Sequence, residues 1–266
     1  MMVSQALRYF GNATLCTLAD TGGLWRLGLR SADRLLLGPF RREPIRIRPV
    51  VQQMVRAGYS SLPLVALVSV LMGMIMALQS AYQLRKLGGL SLLAGLVSVA
   101  IVRELAPLMT AIIVAGRFGS SISAELGTMK VSQEIDALIV MGIDPTSYLV
   151  VPRLAALMLS LPCLVVFGDL VGVLGGMGVS VLGLGLSTTA YLMDSLDALQ
   201  IEDISTGLVK AAAFAAVMGL IGCHQGLKTR GGAEGVGRAT TASVVRSLVL
   251  IIGADLFVTA YFYVRN

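Results

Sequence analysis

Arg103 and Glu104 are adjacent charges in a stretch that is otherwise uncharged from Leu90 to Ala115. A charge near the middle of a bilayer costs at least about 2.5 kcal/mol on insertion scales, so such a residue faces an interior cavity or a partner charge. Neighbouring helical residues point about 100° apart, so the two need not pair with each other. A guanidinium fork suits a phosphate, which makes Arg103 a candidate for gripping a phosphate in a cavity, with Glu104 turned to a neighbouring helix. The alternative is a structural network with Asp255 or Lys210. Leu71, Met74, Met76, Leu78, Tyr82, Leu105 and Met109 supply adaptable apolar surface that could wall an acyl-chain site or simply pack.

A second concentration of polar residues runs from Gly116 to Pro145 and holds Arg117, Glu125, Lys130, Glu134, Asp136 and Asp144. Within it Val131 to Met141 reads as a helix of roughly 16 Å, too short to span a membrane. Gly142 can take the left-handed capping conformation, Ile143 can fold back, and Asp144-Pro145 forbids continuation. The spacing puts Val131, Ile135, Leu138 and Ile139 on one face, with Glu134, Asp136 and Val140 turned elsewhere. Such a helix suits docking into a partner's groove, or it is a loop helix packed on its own bundle. Gly116 to Thr128, rich in small residues, reads as the close-packed end of the preceding span.

These residues need a membrane-embedded scaffold. The chain has 266 residues, 56% of them hydrophobic and only 14% charged, with a mean hydropathy of +0.82, which places it outside the soluble class. Five stretches can cross a bilayer, about Ala57–Leu84, Leu90–Ala115, Tyr148–Leu182, Ile204–Gln225 and Val244–Tyr263, giving an all-α polytopic bundle. Residues 1–56 form a basic interfacial region in which Arg26, Arg30 and Arg34 recur at four-residue spacing beside Leu18, Trp25, Leu29 and Leu36. Residues 57–266 form the transmembrane unit, with the short helix at about 130–143. No cleavable signal peptide is expected.

The arginine-rich start and the Lys228, Arg230, Arg238 loop belong in the cytoplasm, and the wholly acidic stretch from Gly183 to Asp203 belongs outside. The 116–145 island is then cytoplasmic, although Arg85 and Lys86 fall on the outer side. Four spans with a re-entrant segment are the competing topology. The net charge of +6 follows this membrane pattern and lacks the aromatic interleaving of a nucleic-acid surface.

Gly168, Gly172 and Gly176 at four-residue spacing permit close helix approach, within the chain or across a dimer. Asp169 beside them has no evident role. Cys16, Cys163 and Cys223 are far apart and read as small apolar packers, and His224 has no second ligand type nearby, so neither a disulfide framework nor a metal site is expected. The chain has no G-x-x-x-x-G-K-[ST] loop, so energy from ATP would have to come from a partner. The glycine-rich stretch Gly226 to Gly237 reads as a flexible turn in which Glu234 and Arg238 can pair.

The stretch GRFGSSISAELGTMKVSQEIDALIVMGIDPTSYLVVPRLAA, with RELAPLMTA before it and GGAEGVGRATTASVVRSLVLIIGADLF near the end, resembles the MlaE (YrbE) permeases of MCE-associated ABC lipid transporters. The resemblance covers about residues 50–263. It implies a homodimeric permease in the inner membrane of a diderm envelope, with no cofactor of its own. The implied partners are a cytoplasmic ATPase and an MCE-domain protein on the outer side, and the implied cargo is glycerophospholipid moving between inner and outer membranes. The short helix would be the coupling helix, which assigns Glu134, Ile135, Asp136, Leu138, Met141, Gly142 and Asp144 to ATPase contact. Glu104, Gly168, Gly172, Glu234, Arg238 and Asp255 would be structural.

A permease for another hydrophobic substrate, such as a sterol, hydrocarbon or solvent, fits the same features. A lipid-modifying membrane enzyme would need a clustered nucleophile set, and a single histidine with scattered acids argues against it. An ion-coupled secondary transporter would show two related halves, and no such repeat is visible.

Overall fold

The computed structural model describes residues 21–35 and 47–265. Within them the chain is helical, with no strand among the described residues. Residues 21–35 form α1, followed by α2 (Ile47–Ala57), α3 (Leu62–Leu87), α4 (Leu90–Val131) and α5 (Glu134–Val140). Then come α6 (Thr146–Leu184), α7 (Thr188–Ala198), α8 (Ile201–Leu227) and α9 (Gly232–Arg265).

Five of these segments are long and apolar enough to cross a membrane: α2 with α3 as one stretch, α4, α6, α8 and α9. The five-span reading therefore stands over the four-span alternative. Two boundaries differ from the sequence reading. The stretch from Gly183 to Asp203 holds a helix, α7, and Gly232 to Gly237 is the start of α9, so the turn after α8 is confined to about Lys228 to Gly231.

Glycine stripes set the packing. A Cβ on Gly73 would collide with the Gly172 carbonyl oxygen, and one on Gly175 would sit 2.5 Å from the Val70 oxygen. Gly168 meets Ser69 and Val65, so partner numbers rise together and α3 runs parallel to α6, back to back within the chain. The same logic sets α8 beside α4. A Cβ on Gly207 would lie 2.6 Å from the Val102 oxygen, and one on Gly226 would lie 2.6 Å from Leu126 Cβ. Gly116 to Val131 thus continues α4 and is packed by α8, as its small residues suggest.

At 42 residues α4 is about 63 Å long, roughly twice the hydrocarbon thickness, so it projects well beyond the bilayer. Its course is interrupted by two wider π-turns, Ile101–Leu105 and Ala115–Gly119, and a third opens α6 at Thr146–Val150. In each an amide reaches back five residues, from Ala106 to Ile101, Ser120 to Ala115 and Val151 to Thr146.

One end of the bundle gathers α1, α5 and the 228–231 turn. Arg34 lies 3.7 Å from Asp144, and a Cβ on Gly127 would lie 2.9 Å from the Thr229 hydroxyl. The opposite end carries the Gly88 turn and α7, where a Cβ on Gly95 would lie 2.8 Å from Ala198. Among the described residues of the N-terminal helix, Trp25 and Leu29 are exposed; Leu18 and Leu36 lie outside the described residues. Cys223 is buried as expected, Cys163 is exposed on α6, and Cys16 lies outside the described residues.

Gly73→Ala is expected to destabilise the bundle by about 1–3 kcal/mol through overpacking at α3–α6. Gly116→Ala, where a Cβ meets nothing within 4 Å, should be close to neutral. Thermal melting of the two variants in detergent checks the contrast.

Candidate functional site: a charge network inside the bundle and an exposed apolar helix tip

Lys210 on α8 has no exposed surface, and an ammonium ion buried in an apolar span needs a partner such as a carboxylate. Its Nζ bonds Glu104 on α4 and lies 2.9 Å from Asp255 Oδ1 on α9. Glu104, Lys210 and Asp255 therefore tie three helices at one level. Lys210 is about 13 Å along α8 from Ile201, and Asp255 about 15 Å along α9 from Arg265, so the network sits well inside the span.

Arg103, in the same π-turn as Glu104, turns elsewhere. Its Nη1 lies 3.3 Å from Asp203 Oδ1 in the first turn of α8. Asp203 is itself fixed, because its Oδ2 accepts the Gln200 amide in a capping box. The Arg103 side chain keeps 37% of its surface exposed, while Asp203 keeps 8%. A five-donor fork with one partner at 3.3 Å retains N–H groups for a further anion. The adjacent charges thus part company: Glu104 is paired with Lys210, and Arg103 is held on one side by Asp203 and half-exposed on the other.

The acyl-wall candidates separate into two sets. Leu71, Leu78 and Tyr82 join Leu64, Leu67 and Ile75 in an exposed stripe along α3, with Met74 half-buried beside it. The Lys86 ammonium lies 4.2 Å over the Tyr82 ring at the stripe's end. Leu105 and Met109 instead line a cavity of about 10 Å³ against Gly168 and Gly172, room for a single water and not for a chain. A single copy of the chain does not bring the seven residues to one cavity. The glycine stripe explains this, since it presses α6 against α3 and closes the interior.

At the other end, Glu125 on α4 accepts Arg153 Nη2 of α6 at 3.0 Å and Arg56 Nη1 of α2 at 3.3 Å. Arg153 is buried and also bonds the Leu149 oxygen at 2.8 Å. Arg117, in the second π-turn, donates to the Ser60 carbonyl oxygen between α2 and α3. The sequence reading left Arg153 without a role. The available signal was a lone arginine inside the third span, which demands a partner.

The short helix starts at Glu134, later than the spacing suggests, because Gln133 takes a left-handed conformation at φ 62° and resets the helical phase. Val131 consequently belongs to α4. Ile135 is buried and Leu138 packs on the core, but Ile139 faces outward with Val140 and Met141, which corrects the expected apolar face. Lys130 Nζ holds Asp136 at 2.7 Å, and the Ser132 hydroxyl donates to Glu134 at 2.8 Å.

The stop forms as expected. Gly142 has φ 76°, the Ile143 amide bonds the Leu138 oxygen and the Gly142 amide bonds the Ile139 oxygen. Asp144 caps the next segment. Burial alone would raise its carboxyl, but the Ser147 hydroxyl, the Thr146 and Ser147 amides and Arg34 outweigh that and hold it below the ordinary carboxylate range. The result is an exposed apolar tip, Ile139-Val140-Met141, on a fixed stem.

The profile described as Permease MlaE matches residues 50–261. The chain belongs to the MlaE permease family. It is 40% identical over 222 residues to a probable ABC transporter permease protein of Rickettsia felis, covering 84% of this chain and 86% of that one. It is 37% identical over 215 residues to a probable ABC transporter permease of Synechocystis, covering 81% and 82%. It is also 39% identical over 219 residues to protein TRIGALACTOSYLDIACYLGLYCEROL 1, chloroplastic, of Arabidopsis thaliana, covering 82% and 63%. The MlaE permease described here is accordingly the multi-pass membrane subunit of an ABC transporter and not an enzyme, and it works with an ATPase partner.

Glu234 and Arg238, 3.7 Å apart and both exposed, form the expected i,i+4 pair, which contributes little to stability. For the buried network the expectation is sharper. Lys210→Ala leaves two carboxylates facing each other and should cost about 3–5 kcal/mol, whereas adding Glu104→Gln and Asp255→Asn should recover most of it. Folded yield and melting temperature of the purified single and triple variants give the comparison.

Proposed function

We propose that this permease moves glycerophospholipid between the inner and outer membranes of a diderm envelope, as a homodimer driven by a cytoplasmic ATPase and joined on the outer side by an MCE-domain protein. Arg103 is the observation that carries the substrate. It is a half-exposed guanidinium within a span, held at one side by Asp203, with donors left for a phosphate. The exposed stripe of Leu71, Leu78 and Tyr82, with Met74 beside it, offers apolar surface for acyl chains where two copies of the chain meet, while Leu105 and Met109 pack in the interior behind it. A relative that bears the name of a galactolipid fits a lipid cargo better than a solvent or hydrocarbon.

Sidedness follows from charge. The end with α1, α5 and the 228–231 turn carries the arginines and faces the cytoplasm, and the end with Asp194, Asp197 and Glu202 faces outward. The ATPase then meets α5. Its apolar tip enters a groove in the ATPase, flanked by Glu134 and Asp136, and Ile135, Leu138, Gly142 and Asp144 set the stem behind it.

Two measurements test the reading. Arg103→Ala and Arg103→Glu should each abolish envelope-barrier function while the ATPase still copurifies; barrier function equal to wild type would remove Arg103 from the mechanism. Glu134→Lys with Asp136→Lys, or Val140→Asp alone, should lose ATPase on copurification yet keep the lipid found by mass spectrometry of the purified protein. Retention of the ATPase by both variants would remove α5 as the docking element.

A further inference from the structure

A groove of about 410 Å³ opens between α2 and α6, at the bend where α2 turns into α3. Val51, Met54, Val55 and Tyr59 form one wall and Cys163 and Leu164 the other. The volume is that of a small-molecule site, and the walls are almost wholly apolar. Three features distinguish it from ordinary lipid-facing surface. The Ser160 hydroxyl is buried in its floor, on a residue only 5% exposed, and has no hydrogen-bond partner. A helical serine usually returns its hydroxyl to the carbonyl four residues back; this one does not, so a donor waits inside an apolar recess.

Gly58, just past the end of α2, lines the groove, and a Cβ there would stand at ordinary contact distance, 3.9 Å, from that hydroxyl. Finally, Arg48 stands at the α2 end. Spacings of three and seven place it on the same side as Val51 and Val55, it is exposed, and it makes no ion pair among the described residues.

The groove is therefore an apolar trough with a guanidinium beyond its α2 end and one buried hydroxyl in its floor. An anionic phospholipid offers a partner to each of these elements, in its phosphate, its ester carbonyl and its acyl chains. The groove belongs to the arginine-rich end of the bundle, close to Arg56 and Arg117, whose charge favours anionic lipid. From this match we infer that the α2–α6 groove binds an anionic phospholipid of the leaflet bordering the basic end. Its phosphate sits on Arg48, the glycerol passes Val51 and Val55, an ester oxygen accepts the Ser160 hydroxyl, and one chain lies along Cys163 and Leu164. The site is separate from Arg103 and does not rest on what the permease transports.

Its occupant wedges α2 against α6. Those helices also carry Arg56 and Arg153, which meet on Glu125, so the bound lipid braces the junction through which α4 is held at this end.

The full-length protein in phosphatidylcholine nanodiscs, given a trace of phosphatidylglycerol with an acyl-chain diazirine, tests the site by cross-linking and peptide mapping. Cross-links are expected to concentrate on peptides containing Val51 to Leu62 and Ser160 to Leu164. Unlabelled phosphatidylglycerol should compete them away and added phosphatidylcholine should not. Arg48→Ala should lower yield at those peptides severalfold, while labelling of the α3 stripe around Leu71 to Tyr82 stays at its wild-type level and reports an intact fold.

Labelling spread evenly over the bundle, competition by both lipids alike, or an unaltered pattern in Arg48→Ala would overturn the proposal. Competition by inorganic phosphate alone would assign the guanidinium to a free anion and overturn it as well. Absence of groove labelling, with protein–protein cross-links there instead, would mean that a second copy covers the groove.

Discussion

A lysine with no exposed surface in an apolar span is the constraint on which this bundle depends. Lys210 cannot be left unpaired, and its two carboxylate partners come from α4 and α9, far apart in sequence. That demand fixes the rotation and axial position of three of the five spans at once, since a slip of one helical residue moves a side chain by about 100° and 1.5 Å. Apolar packing in lipid does not supply this precision, because lipid tails compete equally well for leucine and valine. The charge network specifies register, and the glycines then let the helices come close enough to use it.

Close approach carries the rest of the assembly. Where Gly73, Gly172, Gly175 and Gly176 meet, α3 and α6 touch backbone to backbone, and dispersion contacts replace the missing hydrophobic drive. The consequence for function is direct. A chain packed this tightly holds no interior cavity large enough for an acyl chain along Leu105 and Met109. Among the described residues the wider spaces open at the surface of the chain, the α2–α6 groove among them.

The spans were legible because hydropathy over twenty residues is a strong, local signal, and the stop after α5 was legible because Gly142, Ile143 and Asp144-Pro145 form a complete local code. Arg103 and Glu104 announced themselves as charges in an apolar run, and two of their three partners, Lys210 and Asp255, were nameable for the same reason. Asp203 was hidden among the acids of an apparent loop, since only the fold reveals that it opens α8. The phase of α5 was misread at Val131 and Ile139, because nothing in the residue types announces a left-handed Gln133. The proposed acyl wall mixed outward and inward residues, as a methionine or leucine stripe carries no mark of which neighbour it will face.

The ion pairs also describe a path between the two ends of the molecule. α5 leads out of α4 through the bend at Gln133, and α4 runs as one continuous helical stretch, π-turns included, from there to Glu104. Near its α5 end α4 is clamped by Glu125 to Arg56 and Arg153, and farther on by Glu104 to Lys210, so a push on α5 reaches the network as a movement of one long element. A perfectly regular helix would transmit only rigid displacement. The π-turns at Ile101–Leu105 and Ala115–Gly119 change that, because their looser hydrogen bonding gives α4 local freedom to rotate. The first of them contains both Arg103 and Glu104. A small change of twist there turns Arg103 relative to Asp203 while Glu104 stays pinned by Lys210, so the half-exposed guanidinium can move without unpairing the buried lysine.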